Sequence, residues 1–351
     1  MNIIVVGINH KTAPIEIREK FFLTAKEQDV LLSELKCNPS ILEAFVLSTC
    51  NRTEIYAHIL NSQNYFEEFI QLISRIKDLH FQSNFKKYFY MLTHSEATRH
   101  LLRVVTGLDS LVLGEKQILG QVKEAFEHAQ QKFLLSRDFN ILANLTIRAG
   151  KKAQSETEIG YGGSSISWAA LVMAEKLLGS LKERSVLLIG AGEMGELVVD
   201  QVVNRGIKTL YLMNRTEERA KTLAAKYQAI PTSFCDIKEV LSAIDVCICS
   251  AGAPHYILEK STVEKVVKLR DQSRLILIDI SMPRNIDPAV ATLEHVVLSH
   301  LDDLTVVVEE TMRKRESAVG LVEDIIEKKL KDFYSKLEKI SESPTVLSTP
   351  P

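Results

Sequence analysis

Cysteine is scarce in this chain. There are five in 351 residues, an odd number, with no CxxC pair. That argues against a disulfide framework or a zinc site and for a reducing, cytoplasmic compartment. The nine histidines show no HExxH or other metal-ligand spacing, so no metal is expected. Long apolar runs are also missing. Runs such as Val186–Ile189 are far too short to span a bilayer. No basic n-region or cleavage site precedes Asn2–Gly7, so no signal peptide is expected. Neither charge sign dominates: 43 Lys and Arg face 45 Asp and Glu, for a net charge of −2. This gives no global hint of a nucleic-acid partner and counts mildly against one.

What is present is the composition of a globular protein. The chain is 46% hydrophobic and 25% charged, with mean hydropathy +0.02. That excludes disordered and collagen-like chains. At about 150 residues per domain, the length predicts two to three domains.

The first part reads as mixed α and β. Strands are expected at Ile3–Ile8, Ala44–Thr49, Thr53–Ile59 and Lys87–Leu92. Thr24 and Glu27 form a capping-box pattern ahead of a helix through Leu35, and Tyr65–Ile76 is a second helix. The order β-α-β-β-α-β is that of a split βαβ unit. Helical patterns follow at Ala97–Thr106, Ile118–Gln131 and Phe139–Ser155. The Gly/Ser-rich stretch Gly160–Ser165 is the best domain boundary and a candidate hinge. Beyond it a helix, Ser167–Leu178, leads into strands at 185–190, 209–213, 246–249, 275–280 and 296–298 that alternate with helices. That alternation implies a doubly wound parallel sheet.

From about Asp302 to Ile340 the pattern is helical, with Met312, Val319, Ile326, Phe333 and Ile340 seven residues apart and Val308 and Val322 on a second seam. Either this helix packs on a partner or it folds onto its own chain. The fold class is therefore α/β multidomain. It comprises an N-terminal α+β domain over 1–155, a Rossmann-type domain over 160–300, and a long helix with a polar tail over 301–351.

Two stretches carry chemistry. Gly190-Ala191-Gly192-Glu193-Met194-Gly195 is a GxGxxG that follows a strand and opens a helix. Gly190 permits the tight turn, Gly192 lets a pyrophosphate approach the backbone, and Gly195 lets helix and strand pack closely. At the end of the next strand NAD sites place an acid, but here stand Asn214, Arg215 and Thr216. Arg215 can pair with a 2′-phosphate, so the cofactor is read as NADPH. The second stretch is Ser48-Thr49-Cys50-Asn51-Arg52-Thr53-Glu54. Cys50 sits at a strand end among polar residues, where Arg52 and backbone N–H groups could favour a thiolate. It is read either as a nucleophile or as an inert packing cysteine. Cys247 and Cys249 alternate on a buried strand, and Cys37 and Cys235 lie near turns without basic neighbours. His100 is open between acid/base and core residue. Gly107–Gln117 is either a functional loop or a plain connector.

These residues together resemble the glutamyl-tRNA reductase family. The resemblance rests on Gly7–Pro14, Leu47–Glu54, His100 with Gly107–Glu115, Gln117–Val122, Gly190–Gly195, Asn214–Thr216 and Asp279–Arg284. It implies that Cys50 attacks the glutamyl ester of tRNA(Glu), that NADPH reduces the thioester, and that glutamate-1-semialdehyde leaves, opening the route to porphyrins and other tetrapyrroles. By the same resemblance His100 is catalytic, and Thr49, Asn51, Arg52, Ser110, Glu115, Lys116, Gln117 and Gln121 contact the substrate. Glu115 is assigned the α-ammonium. The family also implies a homodimer and a further helical dimerisation domain, for which this chain is expected to be too short, and glutamate-1-semialdehyde aminomutase as a partner. A different NADP oxidoreductase, shikimate-dehydrogenase-like and acting on a free small molecule, is the competing reading. Any tRNA surface must be a local basic patch, with Arg148, Lys151 and Lys152 as one candidate.

Overall fold

Buried β-branched runs and amphipathic helices assemble into two compact units in the computed structural model. It describes residues 2–60, 64–80, 83–160, 165–307 and 316–342. Most of the Gly160–Ser165 break, residues 161–164, lies outside them, as do Val308, Met312 and the tail from 343.

The first unit comprises Met1–Ala13, Leu23–Gly162 and Met312–Pro351. Its four strands are β1 (Ile3–Asn9), β2 (Ile41–Ser48), β3 (Arg52–Ile59) and β4 (Tyr90–Thr93). They form an antiparallel sheet in the order β2-β3-β1-β4, the expected split βαβ arrangement. β1 is buried along its whole length because elements of its own unit cover the sheet. The helix Ala25–Cys37 starts at Thr24 with the capping box made reciprocally with Glu27. The fourth strand begins later than expected, because Ser83–Tyr88 is a 3-10 turn and Lys86 pairs with Glu67 of the preceding helix.

The C-terminal helix Glu316–Glu342 packs on helices His94–Val105 and Arg137–Glu156 of this unit. Val322, Ile326 and Phe333 are fully buried there. Arg99 pairs with Glu327, Arg103 pairs with Glu323, and the Thr98 and Tyr334 hydroxyls are 3.1 Å apart. Ile326 and Phe333 of the seven-residue stripe are thus covered by helices of their own unit, while Val319 and Ile340 are half-buried.

The second unit comprises Pro14–Phe22 and Gly163–Thr311. Its parallel strands are β5 (Ser185–Ile189), β6 (Thr209–Met213), β7 (Ile230–Pro231), β8 (Val246–Cys249), β9 (Leu275–Asp279) and β10 (Val296–His300). The order is β10-β9-β8-β5-β6-β7, the doubly wound Rossmann order, with the switch point between β5 and β8. β7 was not expected from the sequence. It has two residues, one of them Pro231, which cannot donate to a ladder. The helix Ile15–Phe21 belongs to this unit. Arg18 pairs with Asp302 at 2.8 Å, and Arg284 holds Glu19 and Glu16 at 2.7 and 3.1 Å.

Candidate active site

β2 and β3 are joined by the three residues Thr49–Asn51, and hydrogen bonds fix the turn. Thr49 N–H donates to the Arg52 carbonyl at 2.8 Å, and the Asn51 amide donates to Thr49 Oγ1 at 3.2 Å. The Asn51 carbonyl accepts from His10 N–H at 3.0 Å. Ser48 Oγ and Thr53 Oγ1, 3.1 Å apart, close the base. Thr49 and Asn51 are buried, whereas Cys50 at the tip is half-buried. Cys247 and Cys249 are fully buried, and burial pushes both thiols far up, which makes them inert.

Beyond the turn, strand alternation puts Arg52, Glu54 and Tyr56 on one face of β3. All three are buried. Glu54 Oε1 accepts from Arg52 Nη1 at 2.7 Å, from His100 Nε2 at 2.9 Å and from the Tyr90 hydroxyl. Its Oε2 accepts from the Tyr56 hydroxyl at 2.7 Å. Burial alone would raise the Glu54 carboxyl. Arg52, His100 and the Tyr90 hydroxyl overcome that and hold it well below the usual carboxylate range. Because an ionised carboxylate only accepts, Nε2 is the nitrogen of His100 that donates to Glu54.

The other side of Arg52 faces the loop after the helix His94–Val105. Nη1 and Nη2 each lie 3.1 Å from Asp109 Oδ2, and Nη2 also donates to the Asp109 carbonyl. Lys11 pairs with Asp109 Oδ1. Burial would raise the Asp109 carboxyl, but Arg52 and Lys11 together lower it. Two cations therefore meet two carboxylates, and Arg52 is not a bare charge aimed at Cys50. The loop itself is shaped by Gly114, whose φ is +77° and whose Cβ would sit 1.8 Å from the Ile159 carbonyl oxygen. Next to it Glu115 is buried. Burial pushes its carboxyl up to about 7, and Arg52 draws it only partly back. Ser110, Gln117 and Gln121 are half-buried and Lys116 is exposed. Gln154 Nε2 reaches the Lys116 carbonyl at 3.3 Å.

The structure thus joins Arg52 to His100 through Glu54. Sequence reasoning assigned no role to Lys11, Glu54, Tyr56, Tyr90 or Asp109. For Glu54 and Tyr56 a signal existed: polar groups two and four residues after Arg52 on a buried strand. Tyr90, Asp109 and Lys11 come from distant segments and leave no local pattern.

In the second unit the glycines behave as their spacing requires. Gly190 has φ +113°, and a Cβ on Gly195 would lie 2.0 Å from the Gly190 carbonyl oxygen. Around a Cβ on Gly192, the N-cap of the helix Glu193–Val203, there is open space. Asn214 Oδ1 accepts from the Ala191 amide at 3.1 Å, so it shapes the glycine-rich turn. A cavity of about 450 Å³ lies here, lined by Gly190, Gly192, Asn214, Arg215, Thr216 and Arg219 among others. Ala191, Glu193, Met194 and Gly195 build the turn and first helical turn without lining it. Arg219 was not foreseen; it stands in the first turn of the helix Glu217–Tyr227, four residues after Arg215. No acidic residue lines the cavity among the described residues. The residues therefore fit a dinucleotide with an anionic group at the Arg215 end. Elsewhere, Glu43, His58 and Asp138 approach one another, but Glu43 Oε1 accepts the amides of Ser136 and Phe139, which is helix capping. No helix among the described residues is long and apolar enough to cross a membrane.

Comparison with known proteins accords with this layout. The family model described as glutamyl-tRNAGlu reductase, N-terminal domain, matches residues 6–157, and that described as shikimate/quinate 5-dehydrogenase matches 172–307. The second match implies a nicotinamide cofactor. Glutamyl-tRNA reductase of Thermodesulfovibrio yellowstonii is 38% identical over 355 residues, covering 99% of this chain and 82% of that protein. The enzyme of the same name from Bacillus subtilis is 38% identical over 351 residues, covering 99% and 76%. The solved glutamyl-tRNA reductase from Methanopyrus kandleri is 34% identical, with TM-score 0.52, covering 96% of this chain and 81% of that one.

Proposed function

The chain belongs to the glutamyl-tRNA reductase family, oxidoreductases of the first step of tetrapyrrole synthesis, and from that premise we propose its reaction in detail. It reduces the glutamyl ester of tRNA(Glu) to glutamate-1-semialdehyde with NADPH, through a thioester on Cys50. The observation that carries this reading is the position of Cys50. It sits at the half-buried tip of a turn whose next residues, Arg52 and Glu54, build a buried charged network with His100.

The Cys50 thiolate attacks the ester carbonyl carbon. A C–S bond forms, the C–O bond to the terminal ribose breaks, and the tRNA oxygen leaves with a proton. A thioester carbonyl accepts hydride more readily than an oxygen ester, so covalent catalysis divides one hard reduction into two easier steps. A reduced nicotinamide, which Gly190, Gly192, Asn214 and Arg215 would hold, would supply the hydride. Expulsion of the thiolate then frees the aldehyde and restores Cys50.

The residues divide the remaining work. Glu54 holds Nε2 of His100, whose imidazole gives or takes the proton. Thr49, Asn51, Ser110, Lys116, Gln117 and Gln121 surround the glutamyl group, and Glu115 takes its α-ammonium. Arg52 suits the side-chain carboxylate, but it must then share its guanidinium with Asp109. Lys11, the second cation on Asp109, lets that carboxylate loosen its hold. NADPH rather than NADH follows from Arg215 and Arg219, which can pair with a 2′-phosphate. A cytoplasmic setting keeps Cys50 reduced, and the reactive aldehyde favours direct transfer to the aminomutase that consumes it.

NADPH oxidation with glutamyl-tRNA, compared with free glutamate, tests the reading. Cys50→Ser is expected to bind NADPH and form no semialdehyde. Intact-mass measurement of the wild type should show a glutamyl adduct on Cys50 when NADPH is withheld. Full activity of Cys50→Ser, or equal turnover without tRNA, would overturn it.

A further inference from the structure

A groove of about 380 Å³ runs between the helices Arg137–Glu156 and Glu316–Glu342 of the first unit. Its polar lining is Asn140, Asn144, Arg148, Lys329, Asp332 and Lys336. The single acid, Asp332, is matched by Lys329 at 3.6 Å. Arg148 and Lys336 therefore leave the groove with a surplus of positive charge. Each asparagine donates one amide hydrogen to a backbone carbonyl of its own helix, Asn140 to Ser136 and Asn144 to Asn140. That fixes the side chain and leaves its second N–H to donate outward.

The basic character continues along the helix. Lys151 and Lys152 follow Arg148 at i+3 and i+4, the same face, with Lys152 also paired to Glu156 at 3.3 Å. Six residues past Arg148, or about 9 Å of helix, Gln154 bonds the Lys116 carbonyl at the edge of the candidate substrate loop. A cationic track thus leads from the groove toward the glutamyl site. The chain as a whole carries a net charge of −2, so an RNA has to be held by a local patch of this kind.

We propose that this groove, with Arg148 and Lys336 as its principal cations, binds the sugar-phosphate backbone of the tRNA substrate. The inference rests on the proposed function. Arg148 and Lys336 are 188 positions apart in the sequence, and only the packing of the C-terminal helix joins them.

The test is fluorescence anisotropy with tRNA(Glu) on the full chain, over a salt series, with KM and kcat for glutamyl-tRNA measured beside it. For Arg148→Glu with Lys336→Glu, affinity should fall about tenfold or more near 0.1 M salt, and the log Kd against log salt slope should shrink by about 2. KM should rise with kcat at saturation unchanged. Arg148→Lys with Lys336→Arg should keep wild-type affinity, as should Lys265→Glu, on a helix of the other unit. Unchanged affinity and slope in the double reversal, with wild type turning over glutamyl-tRNA, would overturn the groove and spare the function. A change in sedimentation with tRNA affinity intact would overturn it too, by assigning the groove to a second copy of the chain. A wild type indifferent to tRNA would sink both.

Discussion

His100 Nε2 lies 2.9 Å from Oε1 of Glu54, a carboxylate with no exposed surface. The same carboxylate receives Arg52, Tyr90 and Tyr56, so one side chain orients four others. Removing it strands the guanidinium of Arg52 and frees the imidazole. Glu54→Ala should cost about 3–5 kcal/mol of stability, the cost of breaking a buried pair. Glu54→Gln should cost less and still lower kcat, because a neutral amide orients the imidazole less firmly. Urea unfolding and NADPH oxidation check the two effects separately. Wild-type stability and rate in Glu54→Gln would show that the network orients nothing.

The same carboxylate sets the acid limb of stability. Its folded pKa lies below the unfolded value of 4.5, so its contribution is complete above pH 4.5 and is lost as pH falls toward the folded pKa. Asp109 acts in the same direction from its ordinary value of 3.8. Stability of the wild type should drop steeply between about pH 4.5 and 2. The drop should be shallower in Glu54→Gln. Parallel pH profiles for the two proteins would refute this assignment.

Glu115 has the opposite sign. Its folded pKa is pushed up to about 7 from 4.5, so the folded state holds a proton that the unfolded state has released. Between pH 4.5 and 7 its contribution to stability declines, and above 7 the whole penalty is felt. Glu115→Gln should therefore stabilise the free protein at pH 8, by roughly 3 kcal/mol at most, and do nothing at pH 4. Thermal unfolding at the two pH values reads the difference. Equal effects at both would disconnect Glu115 from the titration.

Much of this was legible in the sequence because it is local. The Thr24–Glu27 box, the Tyr65–Ile76 helix and the strand–glycine–helix turn at Gly190 are set by residues a few positions apart. Local patterns also gave both sheets, except for β7, where Pro231 leaves almost nothing to read. What escaped is tertiary. Asp109 meets Arg52 across 57 positions and Lys11 across 98, and no periodicity encodes such a pairing. The seven-residue stripe from Val319 onward was readable as an apolar face, but not which surface covers it. That surface is supplied by His94–Val105 and Arg137–Glu156.

Cofactor choice should follow Arg215 and Arg219. Each can make a charge-assisted bond to a 2′-phosphate, worth about 1.5–3 kcal/mol. Arg215→Ala should weaken NADPH binding roughly ten- to a hundredfold and leave NADH binding nearly unchanged. Arg215→Asp should reverse the preference. Titration of both cofactors by nicotinamide fluorescence measures the ratio, and an equal loss for NADH and NADPH would move the phosphate elsewhere.

Gly192 and Gly195 separate binding from folding within one turn. A Cβ at Gly195 would meet the Gly190 carbonyl oxygen at 2.0 Å, and backbone cannot yield as a flexible side chain can. Gly195→Ala must push the helix Glu193–Val203 off the sheet, losing stability and cofactor binding together. A Cβ at Gly192 meets nothing within 4 Å, so Gly192→Ala should unfold at the wild-type temperature. The space it enters is where a pyrophosphate would approach the amides at the helix N-terminus. NADPH affinity should therefore fall at least tenfold in Gly192→Ala while the melting temperature stays within a degree or two. If Gly192→Ala binds NADPH as well as wild type, the dinucleotide does not cross this turn.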